Sequence, residues 1–248
     1  MMVLAIDTSS RTAGAAISNS SETLGEYSVY VHDNLTHSEI LLPMIERLFF
    51  FTGYTLNDMD YIACVNGPGS FTGLRIGAAT AKGLAKGAGK PLVPVSTLDA
   101  LAYNTGVCPH KTIVMPMLNA RRQQVYTAIY AYEEASLTRL SEYAALPIDE
   151  ALSQLSVINK SLDKYPVVFI GDGADAYKES IIDACGANGF RPVFALSNVN
   201  RQRPSYAGLC AHKMLEGGYK PSEDFDLVYI RKPQAIRNIM RNPQKSFQ

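Results

Sequence analysis

The chain has 248 residues, a formal net charge of zero and 47% apolar residues, enough to build a sizeable core in one large domain or two small ones. That balance excludes a globally basic nucleic-acid binder. Its four cysteines, Cys64, Cys108, Cys185 and Cys210, are scattered with no Cys-x-x-Cys pair, which argues against a disulfide framework. Reduced thiols and an expected cytoplasmic location without membrane contact follow.

In chain order, residues 3–6, 13–18 and 23–31 read as three strands, with polar turn material at Asn19, Ser20 and Ser21. Thr36-His37-Ser38-Glu39 is a capping box that opens a helix running to about Thr52, stopped by Gly53 and expected to kink at Pro43. Residues 61–65 form a fourth strand, 74–86 a second helix and 92–95 a fifth strand. The order then recurs: strands at 113–118, 125–131 and 137–145, a helix at 148–155, a strand at 167–170 and a helix at 174–184. A late helix at 205–216 follows.

Two copies of β-β-β-α-β-α predict an α/β protein of the actin/hexokinase/Hsp70 (ASKHA) plan, with two ribonuclease-H-like lobes facing across a cleft. The N-terminal lobe covers residues 1–105 and the C-terminal lobe 106–204. Residues 205–220 are expected to pack back on the first lobe, and 221–248 form a basic tail.

Asn66-Gly67-Pro68-Gly69-Ser70-Phe71-Thr72-Gly73 joins the fourth strand to the second helix. Its glycine spacing fits neither the dinucleotide-binding fingerprint, nor the P-loop, nor the nucleophile elbow. Two readings stay open: backbone N–H groups aimed at an anion, or glycines that let another backbone approach closely. At the first strand's end, Asp7, Thr8 and Ser9 could hold a nucleotide's phosphates, or Asp7 could simply bond its own turn. The matching turn of the second half, Asn119-Ala120-Arg121-Arg122, offers no carboxylate. Gly171 and Gly173 lie where a nucleotide base would rest in this fold. His32, His37, His110 and His212 have no metal-ligand spacing, so no metal is expected.

The first helix is apolar nearly all round, including Leu41, Met44, Ile45 and Leu48, and the second carries Gly73, Gly77, Ala81 and Ala85 at every fourth position. One sheet covers only one stripe of such a helix. These eight residues are therefore expected either in an intramolecular core or, the favoured reading, in a helix bundle between subunits. At the C-terminus, Arg231, Lys232, Arg237 and Arg241 follow the last acidic residue, Asp226. They suit a solvated terminus, a contact with nucleic-acid phosphates, or a contact with an acidic partner.

The segments around Asp7, Thr36–Glu39, Asn66–Gly77, Ala120–Tyr126 and Tyr229–Ala235 together resemble the TsaB (YeaZ) family of bacterial tRNA threonylcarbamoyladenosine biosynthesis. The resemblance implies a non-catalytic paralogue of TsaD. Such a subunit would pair with TsaD through N-terminal-lobe helices, be joined by TsaE, and form a homodimer when isolated. It would reach tRNA through the complex and carry no cofactor of its own, any ATP or ADP acting in the complex. TsaD transfers threonylcarbamoyl from threonylcarbamoyl-AMP to N6 of adenosine 37 in ANN-decoding tRNAs. It does so with a His-x-x-x-His metal site; here Ile40 and Leu41 follow His37 at that spacing, and Asn119 stands where the family has aspartate. The alternative is an ATP-dependent small-molecule kinase of the same fold. A peptidase would need a nucleophile–base pair or a metal site.

Overall fold

A computed structural model describes residues 1–31, 36–106, 111–134, 136–162 and 165–231. His32, Cys108, His110, Lys232, Arg237 and Arg241 lie outside the described residues.

In the first lobe, β1 (Val3–Asp7), β2 (Thr12–Ser18) and β3 (Thr23–Tyr30) form an antiparallel meander. Strands β4 (Tyr61–Gly67) and β5 (Leu92–Ser96) then add in parallel, giving the order β3-β2-β1-β4-β5. Helices α1 (His37–Thr52) and α2 (Phe71–Ala88) cover one face of this sheet. In α1 the Glu39 carboxylate accepts the Thr36 N–H at 2.7 Å, so the capping box forms. The helix runs through Pro43 and ends at Gly53, whose φ of 73° suits glycine.

The second lobe repeats this plan with β6 (Thr112–Asn119), β7 (Gln124–Thr127), β8 (Tyr130–Glu133), β9 (Ser136–Arg139) and β10 (Ala144–Pro147). Helix α4 (Ile148–Ser161), β11 (Val167–Ile170), α5 (Asp172–Ala176), α6 (Lys178–Ala187) and β12 (Pro192–Phe194) complete it. Its main path, β10-β7-β6-β11-β12, matches the first sheet strand for strand. The duplicated topology is the ASKHA arrangement.

Three segments are more broken than their patterns suggest. The strand expected over 125–131 divides into β7 and β8, which pair with different parts of β6. Pro116 offers no N–H at the break, and the Thr127 hydroxyl bonds its carbonyl at 2.7 Å instead. The strand expected over 137–145 likewise divides into β9 and β10. The helix expected over 174–184 is α5 and α6, separated at Tyr177, which packs against the second lobe's core.

Two further helices complete the packing. Helix α7 (Pro204–Glu216) packs Ala207, Cys210 and Ala211 against the first sheet's other face, beside Val3, Ala5 and Val93. Helix α3 (Thr97–Tyr103) lies between the lobes, with Leu98, Leu101 and Ala102 against Val114, Leu118 and Tyr130. Its Asp99 accepts hydrogen bonds from Tyr130 at 2.6 Å and Tyr143 at 2.7 Å. Residues 222–231 are not a free tail. Leu92 donates its N–H to Ser222 O, Phe225 is buried, and Asp224 pairs with Lys82.

Candidate functional site

The glycine-rich turn serves close packing. A Cβ on Gly69 would lie 2.3 Å from Ser9 O, and one on Gly73 would lie 2.1 Å from Thr8 O. A Cβ on Gly77 would lie 2.3 Å from the Thr8 hydroxyl. Ser70 donates its N–H to Ser9 O at 2.7 Å, and its hydroxyl caps α2 by accepting the Gly73 N–H. Gly67, at φ 124°, is overlain by Val228 O. The backbone-approach reading of this turn is therefore the one realised, and the glycines present no anion cradle.

The hydroxyls expected to hold phosphates are likewise engaged. Thr8 donates to Gly73 O at 2.8 Å. Ser9 donates both its N–H and its hydroxyl to Asp7 Oδ1, at 2.8 and 2.7 Å. All three residues are buried. Burial raises the Asp7 pKa against the lowering pull of the Ser9 hydrogen bonds and His37, and Asp7 Oδ2 has no partner. In the second lobe, the space beside Gly171 and Gly173 is filled by Met117 O, 2.3 and 2.8 Å from where their Cβ atoms would sit. The Thr8 and Ser9 hydroxyls expected to hold a nucleotide are thus engaged within the chain, and Gly171 and Gly173 lie against Met117 O. The residues present do not fit a phosphate cradle of that design.

Between the two hairpin mouths lies a cleft of about 540 Å³, lined by Ser9, Ser10 and Arg11 from one lobe and by Asn119 to Arg121 from the other. Asp172 is the carboxylate on its wall; it accepts the Asn119 N–H at 3.0 Å, and desolvation raises its pKa. Arg231, expected to contact tRNA or a partner, donates to Ala120 O at 2.9 Å and so ties the 222–231 segment to the second lobe. Among the described residues no group of three His, Cys, Asp or Glu could hold a metal ion.

The expected partner-facing residues lie inside the chain. Leu41, Met44, Ile45 and Leu48 are buried, the first, third and fourth of them in one core with Ala81 and Ala85, and Gly73 and Gly77 are covered by Thr8. The periodicity identified the buried stripe of each helix rather than the exposed one. Facing solvent on α1 are Glu39, Glu46 and Arg47 together with Leu42 and with Phe50 and Phe51, which are 72% and 73% exposed, rings 5.3 Å apart. On α2 the outward glycines are Gly83 and Gly87, where an added Cβ would meet nothing within 4 Å. Neither has positive φ, so no local geometry requires glycine there. Each lowers helix stability by roughly 1 kcal/mol relative to alanine.

A serine–histidine pair does occur, at a distance from the cleft. Ser18 Oγ lies 3.1 Å from His212 Nε2, but both residues are only 3% exposed. Both residues border a second pocket, but His212 Nδ1 has no orienting partner among the described residues, and burial lowers the His212 pKa.

The comparisons with known proteins agree with this geometry. The family model described as TsaD, tRNA N6-adenosine threonylcarbamoyltransferase, matches residues 34–218. The TsaB tRNA threonylcarbamoyladenosine biosynthesis protein of Bacillus subtilis is 33% identical over 208 residues, 84% of this chain and 87% of that protein. Its Escherichia coli namesake is 33% identical, over 63% of this chain and 68% of that protein. The crystal structure of an uncharacterized protein similar to the peptidase YEAZ from Pseudomonas aeruginosa superimposes with a TM-score of 0.74 at 24% identity, covering 93% of this chain and 99% of that one. YeaZ from Pseudomonas aeruginosa gives 0.71, also at 24% identity, over 92% and 99%. The chain belongs to the TsaB (YeaZ) family.

Proposed function

We propose that the chain is a non-catalytic subunit of tRNA N6-threonylcarbamoyladenosine synthesis, pairing with a TsaD-type partner that performs the transfer. The observation that carries this reading is the outward face of α1 and α2. Phe50 and Phe51 sit exposed on α1, and the outward surface of α2 carries Gly83 and Gly87 beside exposed Ala79 and Lys86. Exposed aromatics and small outward helix residues suit an interface centre. The names of the relatives supply the process. The role needs no cofactor in this chain; ATP or ADP would act in the complex, where a TsaE-type protein joins. The cleft's engaged hydroxyls and its Asn119 turn disfavour a kinase. The working compartment is the cytoplasm, where the substrate tRNA is found.

The same face would close a homodimer when the partner is absent. The test is Phe50→Asp combined with Phe51→Asp. Removing two aromatic anchors should weaken association on the order of a hundredfold without lowering the melting temperature. Sedimentation and co-purification with the TsaD-type protein measure it; unchanged binding by the variant would reject this face.

A further inference from the structure

At the mouth of the interlobe cleft, turns from both lobes and the 222–231 segment converge. Arg11 and Arg121 line the cleft from different lobes. Arg121, Arg122 and Gln123 all have positive φ, at 59°, 55° and 58°. Three successive non-glycine residues in the left-handed region are sterically disfavoured, and they persist where surrounding bonds over-determine them. Here Asn119 Oδ1 accepts the Arg121 N–H at 2.8 Å, and Gln123 O accepts the Ile148 N–H at 3.0 Å. The strained turn presents Arg121 and Arg122 to solvent. Neither of these two has an ion-pair partner among the described residues. Arg231, bonded to Ala120 O, adds a third guanidinium at the same turn.

The opposite side of the mouth is aromatic. Phe71 lines the cleft and is 41% exposed; Tyr229 is 39% exposed, its ring 5.4 Å away. The Arg75 guanidinium lies 3.8 Å over the Phe71 ring, and its Nε donates to the Tyr229 hydroxyl at 3.3 Å. The nearby carboxylates do not cancel this charge: Asp7 is buried, and Asp172 is a single group already bonded to the Asn119 N–H. A chain of zero net charge thus concentrates guanidinium groups beside two exposed rings. Arginines suit phosphate oxygens in bidentate fashion, and exposed rings suit unstacked bases. A small free anion would use the cleft interior and would need neither the outward Arg122 nor the rings.

We infer that the mouth formed by Phe71, Arg75, Arg121, Arg122, Tyr229 and Arg231 is an RNA-binding surface that holds tRNA backbone and an unstacked base in the assembled complex. The identity of the RNA rests on the function proposed above; the RNA chemistry rests on the mouth itself.

The test uses full-length chain assembled with its TsaD-type partner, and an ANN-anticodon tRNA transcript as probe. Binding is measured at about 50 and 200 mM salt, where phosphate contacts differ most. Arg121→Glu with Arg122→Glu should lower affinity at least ~10-fold at the lower salt and reduce the salt slope by about one for each phosphate no longer neutralised. Arg121→Lys with Arg122→Lys should retain most of the affinity. Phe71→Ala should weaken binding without changing the slope. Arg121→Gly, which relieves a left-handed arginine, should raise the melting temperature while lowering tRNA affinity, a split that a purely structural turn would not give.

Unchanged affinity and slope in the assembled double-glutamate complex would overturn the inference. So would a tRNA effect found only on removing residues 236–248, or loss of inorganic phosphate binding with tRNA binding intact. Failure of the double-glutamate chain to assemble would mark the mouth as a protein contact and also overturn it. If the wild-type chain itself does not assemble with a TsaD-type protein, the proposed function fails separately. The same variants are then measured on the chain alone, where an equal loss of tRNA binding sustains the inference and no loss ends it.

Discussion

Asp7 is 2% exposed, with one carboxylate oxygen held by Ser9 and the other unpartnered. Keeping a charge there at neutral pH costs stability. Asp7→Asn keeps an acceptor for Ser9 and removes the charge, so it should stabilise the chain by on the order of 1–2 kcal/mol at pH 7.5. The direction follows from the raised folded-state pKa. The unfolded chain releases this proton near 3.8 while the folded chain retains it to higher pH. The variant's advantage should therefore be fully present above the raised folded-state value, fade as pH falls from there toward 3.8, and vanish below 3.8. Thermal denaturation across that range checks this; a variant less stable than wild type at pH 7.5 would show that the buried carboxylate is favourable. At this scale the sequence marked the right turns but not their use. Glycine spacing locates a close approach, but only the fold reveals that Ser9 and Thr8 backbone, rather than a phosphate, fills the space.

Helices α1 and α2 each have an inner stripe and an outer one, and glycine means different things on the two. Gly73→Ala would place a Cβ 2.1 Å from Thr8 O, whereas Gly83→Ala meets nothing. The first change should destabilise by roughly 1–3 kcal/mol or more. The second should stabilise the isolated chain by roughly 1 kcal/mol while weakening association through the outer face. Urea denaturation and sedimentation of the two variants separate these effects; equal destabilisation by both would place Gly83 in the core. Helix positions and the α1 capping box were legible from periodicity and side-chain chemistry. Which stripe faces inward was not, because α1 is apolar nearly all round and the packing partner decides. Helix α3 escaped the pattern because it is short, although Ser96-Thr97-Leu98-Asp99 carries the serine-to-acid spacing of a helix start. Ser96 does cap it, its hydroxyl accepting the Leu98 N–H.

The whole molecule is two copies of one plan, legible in the repeated element order because each lobe's strands and helices alternate with clear periodicity. What joins the copies was not legible. Asp99 of α3 reaches Tyr130 and Tyr143, and Arg231 reaches Ala120, across separations along the chain that no local pattern encodes. Beside the cleft these contacts frame, the Thr8 and Ser9 hydroxyls are bonded to Gly73 O and Asp7, while the rim and the outer helix face remain exposed. These exposed surfaces fit the proposal that the molecule supports chemistry performed by another subunit. The direct measurement is threonylcarbamoyl transfer to tRNA by a TsaD-type partner, with a threonylcarbamoyl-AMP source, in the presence and absence of this chain. The account predicts no transfer by the chain alone, transfer by the two together, and loss of that stimulation with Phe50→Asp and Phe51→Asp. Transfer by the chain alone, or full activity of the partner without it, would contradict the account.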